Sequence, residues 1–289
     1  MKAALHVDQL FFTVPGGVGT YIRNLVPALA RRDPSLEVTL FHARIDPPKP
    51  AEAWMTAFAD EELAGSIRSL YPRWNLFGRP ALPAPLRSAD LVHAMSGSAI
   101  PPVADGQRLV VTVHDLAFDR YPGMFPRSWR VMYRLGLRAA VRRAHAIVTP
   151  SRTTAEDVLS RTNVDPRKLH VVPEAAALPG SNVDVGEALK RLKLMPPYVL
   201  FVGTIEPRKN LVRLVRAYRR VAATGVPHGL VLAGPLGWQH ELLMRELALK
   251  GTVDFLVGTL TSAEGPAVSV VAKENKSVFI AAIPKTGQL

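Results

Sequence analysis

The sequence predicts an α/β fold in two successive blocks. Three observations predict it. Apolar strand-like runs alternate with helix-period runs through the first 175 residues. A stretch at 173–197 then collects Pro173, Pro179, Gly180, Gly186, Pro196 and Pro197. The same alternation restarts at residue 198.

In the first block, residues 2–7 form a short apolar strand. Residues 20–31 follow as a helix, because Ile22, Leu25, Val26 and Leu29 fall on one stripe. Residues 36–42 are a strand rich in β-formers. Residues 46–88 are Pro-rich and are expected to be irregular, with a helix near 52–64. Residues 91–94 and 109–113 lack polar alternation, as strands do when a parallel sheet is covered on both faces. A helix at 127–143, a strand at 146–149, a helix at 154–161 and a strand at 169–172 complete the block. Thr153 and Glu156 have capping-box spacing at the start of the 154–161 helix. Such alternation implies right-handed α/β crossovers.

In the second block, residues 198–202 read as a strand and 211–223 as a helix with Leu211, Leu214, Val215, Tyr218 and Ala222 on one stripe. A strand at 230–233, a helix at 239–249 and a strand at 253–257 follow. The expected division is therefore 1–175, a linker at 176–197, and 198–289. Composition changes toward the end. No arginine follows Arg245, and two short apolar β runs, VSVV and SVFIAAI, occur instead.

The 289 residues are 48% hydrophobic and 21% charged, which excludes a wholly disordered chain. The absence of cysteine excludes disulfide scaffolds, thiolate zinc sites and cysteine nucleophiles. The net charge is +12. Residues 1–180 carry 22 basic and 16 acidic groups, and residues 181–289 carry 14 and 8, so each part is +6 and the excess is no basic tail. Such a surface favours anionic partners. No stretch reaches about 18 uncharged apolar residues. The expected location is cytoplasmic, with peripheral contact on the inner face of a membrane.

Four groups of residues stand out. The first is the glycine turn Gly16, Gly17 and Gly19 ahead of the first helix, where main-chain amides can approach an anion. It lacks the third glycine of a dinucleotide fingerprint. The second is His114, directly after the 109–113 strand, at the end of a parallel strand where α/β sheets bind ligands. It can donate a hydrogen bond to a substrate hydroxyl or a developing charge. The third is Gly203 followed by Glu206, Pro207, Arg208, Lys209 and Asn210. With Asn210 as an N-cap, Arg208 and Lys209 sit beside a helix start and make a diphosphate site. The fourth is a ladder of Arg130, Arg134, Arg138 and Arg142, which lies along one drifting side of a helix and can meet an anionic surface. No histidine pair has helical zinc spacing, and no aromatic–basic pattern of a nucleic-acid binder is present.

PGGVGTYIRNL, VHDL, AIVTPSRTTAEDVL, LHVVPE, YVLFVGTIEPRKNLVRLVRAY and LVLAGPLGW, in this order, resemble group 1 retaining glycosyltransferases of GT-B fold, the bacterial mannosyltransferase-like members above all. The resemblance covers about residues 1–250. It implies two Rossmann-like domains, the N-terminal one holding a glycan or lipid-linked acceptor and the C-terminal one a nucleotide-sugar. It implies contact of Arg208 and Lys209 with the donor diphosphate, of the glycine turn with donor phosphates or acceptor, and of His114 with the transferred sugar. No metal and no separate cofactor are implied, since the two cations neutralise the leaving group; no Asp-x-Asp occurs. The expected chemistry moves a hexose with retention, as in polysaccharide biosynthesis. The chain also departs from the family pattern. No two glutamates are eight residues apart, the EGFG-like loop is missing, and Pro173-Glu174-Ala175 lacks the usual glycine. The second domain is accordingly expected to be incomplete or divergent. The alternative function is a catalytically inactive remnant that binds anionic glycolipid or a protein partner.

Overall fold

The computed structural model describes residues 1–176, 185–191, 194, 196–248, 270–273 and 278–281. The chain divides into two compact units, Met1–Ala177 and Leu178–Leu289.

The first unit runs β1 (Lys2–His6), α1 (Gly16–Arg32), β2 (Glu37–Arg44), β3 (Ala59–Ser66), α2 (Ile67–Phe77), α3 (Ala84–Arg87), β4 (Leu91–Ala94), β5 (Arg108–Thr112), α4 (Ala117–Arg120), α5 (Arg127–Arg143), β6 (Ala146–Thr149), α6 (Arg152–Arg161) and β7 (Leu169–Val171). The seven strands form one sheet in the order β3-β2-β1-β4-β5-β6-β7, and every pairing is parallel. All strand carboxyl ends therefore share one edge. The order reverses between β1 and β4, which opens the crevice where doubly wound sheets bind ligands. Strand alternation sorts neighbouring residues to opposite faces. Ala4 and Phe41 join one buried cluster with Trp74, Leu137 and Val158, while Leu5 and Leu40 join the other with Ile22 and Val26.

The structure differs from the sequence reading at several points. The 46–88 stretch contains β3, α2 and α3; of the helix expected near 52–64 there is one 3-10 helix, Ala53–Ala57, and β3 follows it. The strand β3 has the sequence ADEELAGS, too acidic and small to signal a strand. It survives because it is an edge strand with one neighbour. Pro72 lies inside α2, and a proline reads as a helix breaker. The first helix begins at Gly16, so the glycine turn is its opening turn. The helix expected at 154–161 starts at Arg152, because Ser151 is the cap and its Oγ accepts the Thr154 amide at 3.1 Å. The 127–143 helix has the expected bounds.

The second unit contains α7 (Val185–Arg191), β8 (Tyr198–Val202), α8 (Leu211–Ala222), β9 (Gly229–Ala233), α9 (Glu241–Ala248), β10 (Val270–Lys273) and β11 (Val278–Ala281). Here α7 falls in the stretch read as a linker. β8 and β9 pair in parallel, and Ile205, Leu211, Val215, Leu230, Leu232, Leu243 and Leu247 form the buried cluster against them. The two late apolar runs supply β10 and β11, which pair antiparallel. The strand expected at 253–257 lies outside the described residues.

One contact sets how closely α5 approaches the loop after β4. A Cβ on Gly136 would lie 2.1 Å from the Gly97 carbonyl oxygen and 3.1 Å from that of Ser98. Helix and loop meet backbone to backbone, and neither obstacle is a side chain that could swing away. Gly136→Ala is therefore expected to destabilise the protein by about 1–3 kcal/mol despite its better helix propensity. Urea unfolding checks this; an unchanged or raised midpoint would show that α5 can shift without cost.

Candidate functional site

In the first unit, His114 and its partners lie beside the point where the sheet order reverses. His114 lies two residues beyond β5, and both of its ring nitrogens are engaged. Nε2 is 3.0 Å from the Met95 carbonyl oxygen, and Nδ1 is 2.9 Å from Oε1 of Glu174. The ring of Tyr21, from α1, stands edge-on to it with centroids 5.0 Å apart. Thr154 Oγ1 donates to the His114 carbonyl oxygen at 3.2 Å and ties the following loop to α6.

Behind this ring lies a buried relay. His93 Nε2 and Thr112 Oγ1 are 2.8 Å apart, and Tyr21 Oη is 3.4 Å from the same hydroxyl. Burial, with His114 nearby, pushes the His93 imidazole down to about 4, so it stays neutral at ordinary pH. Burial pushes the Tyr21 phenol up, with the Glu174 charge adding to it and the Thr112 hydrogen bond opposing.

The residues 95–100 after β4 carry Met95 O, and Asn75 of α2 shapes this loop. Asn75 Nδ2 donates to Ser98 O at 2.8 Å, and its Oδ1 accepts the Ile100 amide at 2.9 Å. At the end of β1, His6 Nε2 and Asp8 Oδ2 lie 2.9 Å apart, both side chains buried. The His6 ring stacks on Phe41 and meets Tyr71 and Trp74 edge-on. Burial alone would raise the Asp8 carboxyl. The neighbouring His6 and the hydrogen bond donated by the Ala43 amide outweigh it and hold the carboxyl below 3.8.

The glycine turn is placed at the start of α1. Gly16 has φ +62, and among the described residues no atom lies within 4 Å of a Cβ built at Gly16 or Gly17. Gly19 is packed instead, since a Cβ there would lie 2.4 Å from Pro15 Cβ. The turn thus leaves open space beside the first amides of a 17-residue helix.

In the second unit, the strand ends of β8 and β9 touch through their glycines. A Cβ on Gly234 (φ +155) would fall 1.9 Å from the Gly203 carbonyl oxygen, and Gly203 has φ +150. The pairing continues past them, with the Ile205 amide donating to Pro235 O and the Gly237 amide to Ile205 O, both at 2.9 Å. From this platform rises a single turn, Pro207–Lys209. Arg208 Nη2 is 2.6 Å from Oε1 of the buried Glu206, while Lys209 is exposed. Asn210 is corrected: it has φ 53 and makes no side-chain cap. The left-handed backbone, which asparagine tolerates, turns its side chain away from the cap geometry.

The arginine ladder is divided. Arg134 is paired with Asp119 at 2.8 Å, Arg130 is half-buried, and Arg138 and Arg142 are exposed. The neighbouring Arg143 packs inward and donates to Ile100 O; burial, then the charge of Arg142, lowers it to about 10. Among the described residues, no cluster of three or more His, Cys, Asp or Glu could hold a metal ion, and no helix is long and apolar enough to cross a membrane.

The sequence singled out His114, Arg208, Lys209 and the glycines, and the structure places each of them beyond a strand end or at a helix start. The sequence reading missed His6, Asp8, Tyr21, Asn75, His93 and Glu174. The i, i+2 spacing of His6 and Asp8 at a strand end was a usable signal. Glu174 lies 60 positions from His114, and nothing local marks it.

A seven-stranded parallel sheet with a polar cluster at its switch point agrees with what comparison finds. The chain belongs to glycosyltransferase family 4, whose model matches residues 15–176. It is 26% identical over 257 residues to the O-antigen chain mannosyltransferase B of Escherichia coli, a match covering 82% of this chain and 65% of that one. Among solved structures it is similar to HepE of Anabaena in complex with UDP and glucose, with a TM-score of 0.55 and 15% identity over 92% of this chain and 76% of that one. The same protein in complex with UDP-glucose gives a TM-score of 0.56 at 14% identity, over 92% and 75%. The fold class is thus the α/β arrangement of GT-B glycosyltransferase neighbours.

The buried His6–Asp8 pair makes a pH-dependent contribution. Its folded-state carboxyl sits below 3.8. The stabilisation is therefore fully present above the unfolded-state value and is lost as pH falls through the lower folded-state value. Asp8→Asn is expected to cost about 1–3 kcal/mol at pH 7, because it weakens the buried polar contacts at the end of β1. It should also flatten the loss of stability below about pH 4. Urea midpoints of both proteins from pH 7 to 3 check this, and identical pH slopes would refute it.

Proposed function

We propose that the protein is a glycosyltransferase that moves a hexose, mannose-like, from a nucleotide-sugar to a cell-envelope glycan or lipid-linked acceptor, with retention. The observation that carries this reading is the similarity to the mannosyltransferase, which runs over 82% of the chain and so through both units. Family membership over residues 15–176, and the likeness to a fold crystallised with UDP and with UDP-glucose, support it.

In this reading Arg208 and Lys209 take the donor diphosphate. Glu206 pre-orients Arg208, and exposed Lys209 adds a second positive charge. As the C1–O bond to the diphosphate breaks, its electron pair stays on the phosphate oxygen, where the two cations stabilise it. The acceptor hydroxyl oxygen bonds to C1 on the same face, and its proton passes to the departing phosphate. His114 addresses an oxygen of the transferred sugar, and the open amides at Gly16 and Gly17 suit an anionic or hydroxyl oxygen.

The test is a transfer assay with UDP-glucose, UDP-galactose and GDP-mannose, in the presence of a lipid-linked acceptor, followed by anomeric analysis of the product. No transfer and no hydrolysis with any donor would overturn the reading for this chain. Replacing both Arg208 and Lys209 by alanine should weaken UDP and GDP binding on the order of 100-fold, from two charge-assisted contacts worth roughly 3 kcal/mol together. Unchanged calorimetric affinity would remove these residues from the donor site.

The exposed Arg138 and Arg142, with Arg127 on the same side of α5, suit reversible contact with an anionic bilayer. Arg134 contributes less, because Asp119 already neutralises it. Each such charge adds about 1 kcal/mol near the surface, so binding should fall steeply with salt. Equal sedimentation with phosphatidylglycerol and phosphatidylcholine vesicles at low salt would count against it.

A further inference from the structure

We propose that Glu174 is a positioning residue for His114: it keeps a proton on Nδ1 and sets the direction in which the ring donates. The catalytic consequence rests on the transferase reading above; the effect on the ring does not. Both partners of the imidazole, Met95 O at 3.0 Å and the Glu174 carboxylate at 2.9 Å, are acceptors. Each contact needs a hydrogen on the ring nitrogen that faces it. A neutral imidazole carries one such hydrogen, and the ring that satisfies both contacts carries two.

The two partners differ in how firmly they are held. Met95 O belongs to a loop fixed by two hydrogen bonds to Asn75 and by the backbone contact with Gly136. It pins Nε2 from the protein side. Glu174 lies beyond β7 on the exposed residues 172–176, with its side chain 39% exposed. A substrate oxygen can replace this carboxylate without disturbing the core, and it then meets an Nδ1–H already in place. Other groups around the ring do not supply this. Tyr21 meets it edge-on. His93 is neutral. The Asp115 carboxylate is turned to the Ala117 amide. Among the described residues, Glu174 is the charged group in hydrogen-bond contact with the ring.

The experiment follows the ring nitrogens directly. Full-length, ligand-free protein labelled with 15N-histidine is studied by two-bond proton–nitrogen correlation, and His114 is assigned by the signal lost in His114→Asn. In the wild type, the Nδ1 of His114 should carry the protonated signature, and in Glu174→Gln and Glu174→Ala it should lose it. In the glutamine variant the side-chain amide can turn its NH2 toward a bare Nδ1, while Nε2 stays protonated on Met95 O. Thermal midpoints should be unchanged, since Glu174 is exposed. The same Nδ1 signature and pH response in wild type and both variants would overturn the proposal.

With UDP-glucose or GDP-mannose as donor, Glu174→Gln should lower kcat on the order of tenfold or more with little change in donor KM. A loss of turnover without the spectral change would also overturn the positioning role. Absence of transfer by the wild type would instead overturn the transferase reading, and the spectra would still decide the role of Glu174.

Discussion

Asn75 makes two hydrogen bonds to the main chain of the 95–100 loop, and the geometry of the first unit's site depends on them. The loop leaves β4 at the switch point, where no neighbouring strand can pair with it. Its polar main-chain groups are buried and need partners. One amide side chain supplies a donor to Ser98 O and an acceptor for the Ile100 N–H. Gly136 then lets α5 close over the loop without an intervening side chain. With the loop fixed on both sides, Met95 O becomes a stationary acceptor that orients the half-buried ring of His114.

Buried charge is used sparingly, and where it occurs it fixes direction. The His6–Asp8 pair joins the end of β1 to β2 through the Ala43 amide. The Glu206–Arg208 pair does the corresponding work at the end of β8. Replacing such pairs by apolar groups is often neutral for stability, so their value here lies in where they aim a group. The exposed pairs, Arg134–Asp119 and Arg167–Asp165 among them, contribute little to stability. They do consume acidic groups, which leaves the net +12 as an arginine- and lysine-rich surface.

The two units reach the same device by different chemistry. In each, parallel strands deliver short polar segments to one edge, and glycine allows one backbone to rest on another. In the first unit the contact is helix on loop, Gly136 on Gly97; in the second it is strand end on strand end, Gly234 on Gly203. Lysine or arginine next to such a platform is presented outward because the backbone beneath it is already satisfied, as the Gly203 to Ala233 and Ile205 to Pro235 hydrogen bonds show.

By itself the sequence determined the alternation of strands and helices, the parallel character of the buried strands, the bounds of α5 and the positions of His114, Arg208 and Lys209 at strand ends. These are legible because hydrophobic period, capping chemistry and glycine placement are local signals. The tertiary structure alone decided that ADEELAGS is a strand, that Pro72 sits within a helix, that Ser151 and not Thr153 is a cap, and that Asn210 turns left-handed. It also decided which residues meet. His114 with Glu174, Asn75 with Ser98 and Ile100, and Gly136 with Gly97 are joined across 60, 23, 25 and 39 positions. No local pattern encodes such pairs, because the free energy that selects them comes from packing and from satisfying buried polar groups once the sheet has formed.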